Sequence, residues 1–150
     1  MPRIRPANPH DASRIIEMTS KVSAHERNTP SLLTIETLNR AAFSENLLHV
    51  LVAESDNDLI GHIVLTKSFD MQTATPAWWL AELFVEAPHR RRGVATSLLT
   101  EATRIVRAEG ATFLQWLVAP DNAEAIAFYE QRGAKRDRGI AMFIDLRHRQ

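Results

Sequence analysis

The stretch from Ala77 to Gly110 constrains the fold more than any other part of the chain. "AWWLAELFVEA" is an apolar run of strand length that Pro88 closes, and "HRRRGVATSLL" follows at once. From Gly93 to Glu109 the apolar positions Val94, Ala95, Leu98, Leu99, Ala102, Ile105 and Val106 recur at helical spacing, and Gly110 ends the helix. A strand apolar on both faces has to be covered on both, and helices are the usual cover. The fold class expected is therefore α/β.

The flanking segments extend that reading. "RIRPA" (Arg3–Ala7) is a short strand ended by its proline, and "PHDASRIIEMTSKVSAHE" a helix capped by Asn8 or Asp11. Its face carries Ile15, Ile16, Met18, Thr19 and Val22. Thr34 with Thr37 opens a shorter helix running through Phe43. Strands Leu47–Glu54 and Leu59–Lys67 flank the polar turn "SDND", which predicts an antiparallel hairpin. "TFLQWLVA" is a further strand, "DNAEAIAFYEQR" a helix stopped by Gly133, and "IAMFIDL" a last strand. The order is β-α-α-β-β-β-α-β-α-β, read as one α/β domain over residues 1–150 around a mixed central sheet.

Composition narrows the function. Eighteen basic residues balance eighteen acidic ones, without the basic excess of a nucleic-acid binder. No cysteine is present, which removes disulfides, thiolate metal sites and a cysteine nucleophile. His49 and His62 lie in strand patterns with no second ligand at metal spacing, so no metal is assigned. The N-terminal segment lacks the apolar core of a signal peptide, and no apolar run reaches the roughly 18 residues of a membrane span. The expectation is a cytoplasmic protein with neither membrane nor nucleic-acid partner.

Two constellations carry chemistry. A strand ends at Val85–Glu86, a loop carries Arg90, Arg91 and Arg92, and Gly93 starts a helix. The first amides of a helix lack intrahelical acceptors, and the helix dipole favours an anion there. Gly93 is either a turn glycine beside solvated arginines or the approach point for a phosphate; neither the P-loop nor the Rossmann glycine pattern fits. The second constellation places Asn122 and Tyr129, the single tyrosine, about two turns apart on one helix face. Tyr129 can equally be a core ring with its hydroxyl at the rim.

"RRRGVA" (Arg90–Ala95) fits the Gln/Arg-x-x-Gly-x-Gly/Ala signature of the GNAT superfamily of acetyl-CoA-dependent N-acetyltransferases, between the strand and helix that family requires. "N..AI.FYE..GA" resembles the family's second coenzyme-binding segment, and "IRPANPHDASRI" its usual opening. "LTIETLNRAAFSENLLHVLVAE" and "LQWLVAPDNAEAIAFYEQRGA" look nearest to the diamine and polyamine acetyltransferase branch. The chain departs from that branch at Ala81, where an acid is usual, at His25-Glu26, where the branch has Tyr-Glu, and at Ile140, where it has tryptophan.

The resemblance implies a GNAT-like fold whose fourth and fifth strands splay apart around the pantetheine arm of acetyl-CoA. Backbone groups of Leu83, Phe84 and Val85 would meet that arm, with a backbone N–H near Val85 polarising the thioester. The amides of Arg90, Arg91, Arg92, Gly93, Val94, Ala95 and Thr96 would hold the pyrophosphate, and Asn122 and Ala125 the pantetheine. Tyr129 would act as general acid to the coenzyme thiolate, a phenol being protonated at neutral pH. Glu82 is the candidate base. Strand alternation sets Ala81 and Glu82 on opposite faces, which leaves a structural role for Glu82 as well. His25, Glu26 and Trp116 are candidate contacts for the amine, and the resemblance also implies a homodimer. The expected reaction acetylates a primary amine of a small molecule. A protein N-terminal or lysine acetyltransferase and a non-catalytic acyl-CoA-binding module are the alternatives.

Overall fold

Alternation along the strands decides what each face of the sheet buries. The computed structural model describes residues 1–23 and 29–147. Five strands form one sheet in the order β1 (Arg3–Pro6), β2 (Leu48–Ser55), β3 (Asp58–Asp70), β4 (Thr75–Val85) and β5 (Leu114–Gln115). The first four pair antiparallel and β5 joins β4 in parallel, so the sheet is mixed as expected. β2 and β3 form the predicted hairpin. Both central residues of its turn, Asp56 and Asn57, take positive φ, the twist-matched geometry of a two-residue hairpin loop.

On one face of the sheet, Val50, Val52, Val64 and Phe84 pack with Ile15 and Met18 of α1 (Ala12–Val22) and Leu38 of α2 (Ile35–Asn39). Thr34 caps α2 through the Thr37 amide and Thr37 returns the bond, as the sequence predicts. Asn8 caps a short 3-10 turn, Pro9–Asp11, that leads into α1. The other face carries Leu51, Ile63 and Leu65 and is covered by α3 (Val94–Ala108), whose Val94, Leu98, Leu99, Ala102 and Val106 are buried. Burying one such leucine fully contributes about 2 kcal/mol.

The chain forms two units, Met1–Gln115 and Trp116–Gln150. The second holds α4 (Ala123–Glu130), which Asn122 caps. Two expectations need correction. The strand read over 112–119 reduces to Leu114–Gln115, and no strand follows α4 among the described residues. Ile140, Met142, Phe143 and Leu146 of the expected last strand are exposed. Apolar alternation supplies a face to bury, but a strand also needs a partner backbone, and that is not written in the segment itself.

Candidate active site

The site begins with an irregularity in β4. Glu82 pairs with Val64 and Leu80 with Leu65, so Ala81 is one residue more than β3 can match. Such a bulge bends its strand and increases the local twist. β5 pairs with β4 only at Trp78–Leu114 and Trp79–Gln115, stopping just before the bulge. From Leu80 to Val85 the outer edge of β4 has no ladder partner among the described residues. The β4–β5 ladder ends there, at the last residue of the first unit.

The direction of the free groups follows from one bond. The Glu86 amide donates to the Ile60 carbonyl at 2.8 Å, so it points toward β3. Alternation then turns the Phe84 amide toward β3, and the amides of Leu83 and Val85 toward the open edge. Gly61 makes the close approach at this end possible: a Cβ there would sit 2.7 Å from the Phe84 carbonyl oxygen.

Beyond β4 the chain makes a short turn, Ala87–His89, and enters α3 through Arg91 at φ 60 and Gly93 at φ 83. The N-cap residue Gly93 has no side chain to cap α3, and the Ser97 amide is bonded to the Gly93 carbonyl at 3.0 Å. The amides of Val94, Ala95 and Thr96 lie ahead of it, in the turn for which the helix has no acceptor. A Cβ on Gly93 would meet nothing within 4 Å, so the approach to this turn is open. The three arginines divide. Arg90 turns its Nε back onto the Val85 carbonyl at 2.8 Å and lays its guanidinium 5.6 Å from the Phe84 ring centroid, though like Arg91 and Arg92 it is exposed.

Glu82 faces α1, on the side of the sheet shared with Val64 and Phe84. Its Oε2 accepts from the Thr19 hydroxyl at 2.8 Å and lies 2.5 Å from His62 Nε2. His62 is 0% exposed and its Nδ1 is buried without a hydrogen-bond partner. Ala81, the surplus residue of the bulge, is exposed, and the regular alternation expected of residues 81 and 82 is interrupted there. At the end of the same face Glu86 binds Lys21 at 2.7 Å and Arg14 at 3.5 Å. Burial acts to raise the Glu86 carboxyl, but these cations outweigh it and hold it below the ordinary carboxylate range.

Within the second unit, the Trp116 and Tyr129 rings stand 4.8 Å apart between centroids. Asn122 Oδ1 accepts from the Ala125 amide at 3.1 Å, which uses one polar group of each residue in the cap. The Asn122 amide group retains its donors by chemistry. His25 and Glu26 lie outside the described residues.

Sequence reasoning weighed His62 only as a metal ligand and missed its contact with Glu82. The signal available was a histidine inside the apolar run "LIGHIVL", since a buried polar ring needs a partner. Thr19 read simply as part of a helix face. Among the described residues no group of three or more metal-ligating side chains occurs, and no helix is long and apolar enough to cross a membrane.

Residues 14–134 match the Acetyltransferase (GNAT) family, a span that includes β4 and the glycine turn. The chain belongs to the GNAT acetyltransferase family. It is 26% identical to the uncharacterized N-acetyltransferase YhfO of Bacillus subtilis (strain 168), over 93% of this chain and 94% of that one. It is 28% identical to L-ornithine N5-acetyltransferase NATA1 of Arabidopsis thaliana over 84% of this chain, which spans 50% of that protein. A solved structure of AAC(6')-Iy with a bisubstrate analog, CoA-S-monomethyl-acetylneamine, superposes with a TM-score of 0.83 at 16% identity, covering 97% of this chain and 98% of that one. GNAT enzymes transfer an acetyl group from acetyl-CoA to amines, and this chain is an N-acetyltransferase. These relatives support the GNAT family and do not single out its diamine and polyamine branch.

Proposed function

We propose that this GNAT enzyme acetylates a primary amine of a small molecule by direct attack of the amine on the thioester. The observation that carries the reading is the open edge of β4, with the amides of Leu83 and Val85 directed into it, leading to the uncapped start of α3 at Gly93. An extended pantetheine arm adds to such an edge as a further strand would. The Val85 carbonyl is already taken by Arg90, so the arm relies on the Val85 amide and on Leu83. The pyrophosphate rests on amides from Arg90 to Thr96, with Arg91 and Arg92 neutralising charge. The residues present thus suit the coenzyme by geometry and by donor chemistry.

Acetyl-CoA supplies a thioester whose carbonyl carbon is open to attack by a neutral amine. A backbone amide near Val85 stabilises the negative charge that develops on the carbonyl oxygen. Glu82 takes the proton that the amine loses, directly or through water, as the C–N bond forms. Tyr129 donates its phenolic proton to the sulfur as the C–S bond breaks, and Asn122 and Ala125 hold the pantetheine arm. The products are an amide and coenzyme A; Tyr129 recovers a proton from solvent and Glu82 releases one. His25, Glu26 and Trp116 contact the amine, and two copies of the chain form a homodimer.

The relatives suggest which amines to try: one is named for L-ornithine, and a structural neighbour is an aminoglycoside acetyltransferase. Thiol release with acetyl-CoA is to be measured for L-ornithine, a diamine, an aminoglycoside and a peptide N-terminus. Turnover of a small amine by the wild type, with a large loss in Tyr129→Phe, supports the proposal. Turnover of the peptide alone replaces it with a protein acetyltransferase. Tight coenzyme binding without turnover of any amine replaces it with a binding module.

A further inference from the structure

Outside the residues that meet the coenzyme, the least expected side chain is His62, a titratable ring wholly buried in the middle strand of an apolar sheet. It pairs across the sheet with Phe84 and shares a face with Val64 and Glu82. Its Nε2 is 2.5 Å from Glu82 Oε2, and Thr19 donates to that same oxygen at 2.8 Å from α1.

The ring's other nitrogen decides its tautomer. His62 Nδ1 is buried with no partner. A proton there would be a buried donor without an acceptor, a costlier state than a bare imidazole nitrogen. The proton therefore belongs on Nε2, where Glu82 accepts it. Two donors, one from β3 and one from α1, then converge on a single carboxylate oxygen. Two hydrogen bonds to the charged form favour that form and fix the plane of the group.

We infer that His62, with Thr19, is a positioning residue that holds Glu82 ionised and oriented as the proton acceptor of the acetyl transfer. The inference rests on the acetyltransferase reading and adds residues that do not touch the substrate. Thr19 reaches Glu82 from α1 and His62 from β3. The cations of α1 that reach β4, Arg14 and Lys21, engage Glu86 instead. Leu38 and Ala42, on the helical segment packed over this face, bring no charge.

The first measurement needs no substrate. In protein labelled with nitrogen-15 at the histidine rings, His62 is expected as the tautomer protonated at Nε2, and the signal moves in Glu82→Gln. A ring protonated at Nδ1, or indifferent to Glu82→Gln, overturns the inference. The second is kinetic, with acetyl-CoA and L-ornithine, a diamine and an aminoglycoside as acceptor probes. His62→Phe is expected to lower kcat about tenfold or more, leave KM for acetyl-CoA unchanged, and move the acidic limb of the profile to higher pH. His62→Gln, which keeps a donor at similar reach, restores most of kcat, and Thr19→Val gives a smaller loss in the same direction. If His62→Phe does not fold, the Gln and Val variants decide. An unmoved acidic limb, or equal losses in the Phe and Gln variants, overturns the positioning role. If the wild type acetylates none of these probes, the small-amine reading fails, while the tautomer measurement still judges the pairing of His62 with Glu82.

Discussion

Arg90 Nε donates to the main-chain carbonyl of Val85 at 2.8 Å, so the first arginine of the run is fastened to the end of β4. The bond joins the strand edge to the loop that precedes α3. At the proposed coenzyme site Arg90 is thereby expected to act through geometry, and Arg92 through charge. Arg90→Ala is expected to weaken coenzyme A binding about fivefold, the equivalent of about 1 kcal/mol, with little dependence on salt. Arg92→Ala weakens it less, and the difference vanishes at high salt. Calorimetric titration at two ionic strengths distinguishes the two effects; identical salt dependence for both variants refutes the division.

Gly93 and Gly110 offer a matched pair. Both take positive φ, 83 and 89, and at neither would a Cβ meet another atom within 4 Å. Alanine at either site strains the backbone by about 1 kcal/mol and lowers the unfolding midpoint to a similar extent. Only Gly93 borders the proposed pyrophosphate turn. Coenzyme affinity should fall in Gly93→Ala and more so in Gly93→Gln, and stay at the wild-type value in Gly110→Ala. An unchanged dissociation constant for Gly93→Gln would remove the pyrophosphate assignment.

Gly61 is a different case, because what it approaches is main chain. The Cβ of Gly61→Ala would lie 2.7 Å from the Phe84 carbonyl oxygen and 3.4 Å from Val85 Cα. Neither can rotate away, so the end of β4 must shift. The expected cost is about 2 kcal/mol in urea unfolding, with a parallel loss of coenzyme affinity. A variant as stable as the wild type would show that the strand end moves freely.

Acid should weaken the first unit through Asp11. Hydrogen bonds from Arg5 at 2.8 and 3.0 Å hold its carboxyl below the ordinary range, against the opposing effect of burial. A depressed folded-state value contributes stability above the unfolded value of about 4, and that contribution is lost as pH falls through the folded one. Urea unfolding of the wild type should therefore weaken below about pH 4 more steeply than that of Asp11→Asn. Equal slopes for the two proteins would remove Asp11 as a source of acid sensitivity.

The parts legible in the sequence are those where a local pattern fixes a local answer. Helix α3 from Val94, the Thr34 cap with its Thr37 partner and the β2–β3 hairpin all follow from spacing and turn chemistry. The glycine turn and the Asn122 cap were legible for the same reason. What stayed hidden depends on register between distant segments. Nothing in "WWLAELFV" marks Ala81 as the surplus residue, since the surplus exists only against β3. The contact of His62 with Glu82 joins residues twenty positions apart. The expected strand over 140–146 failed for a related reason, because pairing is a property of two segments.

Ala81 is an insertion in a pattern that is otherwise intact. Removing it would set Glu82 directly after Leu80, and both would keep the partners and faces they have now. The β3–β4 ladder would become regular. Such a chain would lack the bend and added twist that a surplus residue puts into β4. On the proposed reading, acetyl transfer then rests on a count that differs by one residue between two neighbouring strands.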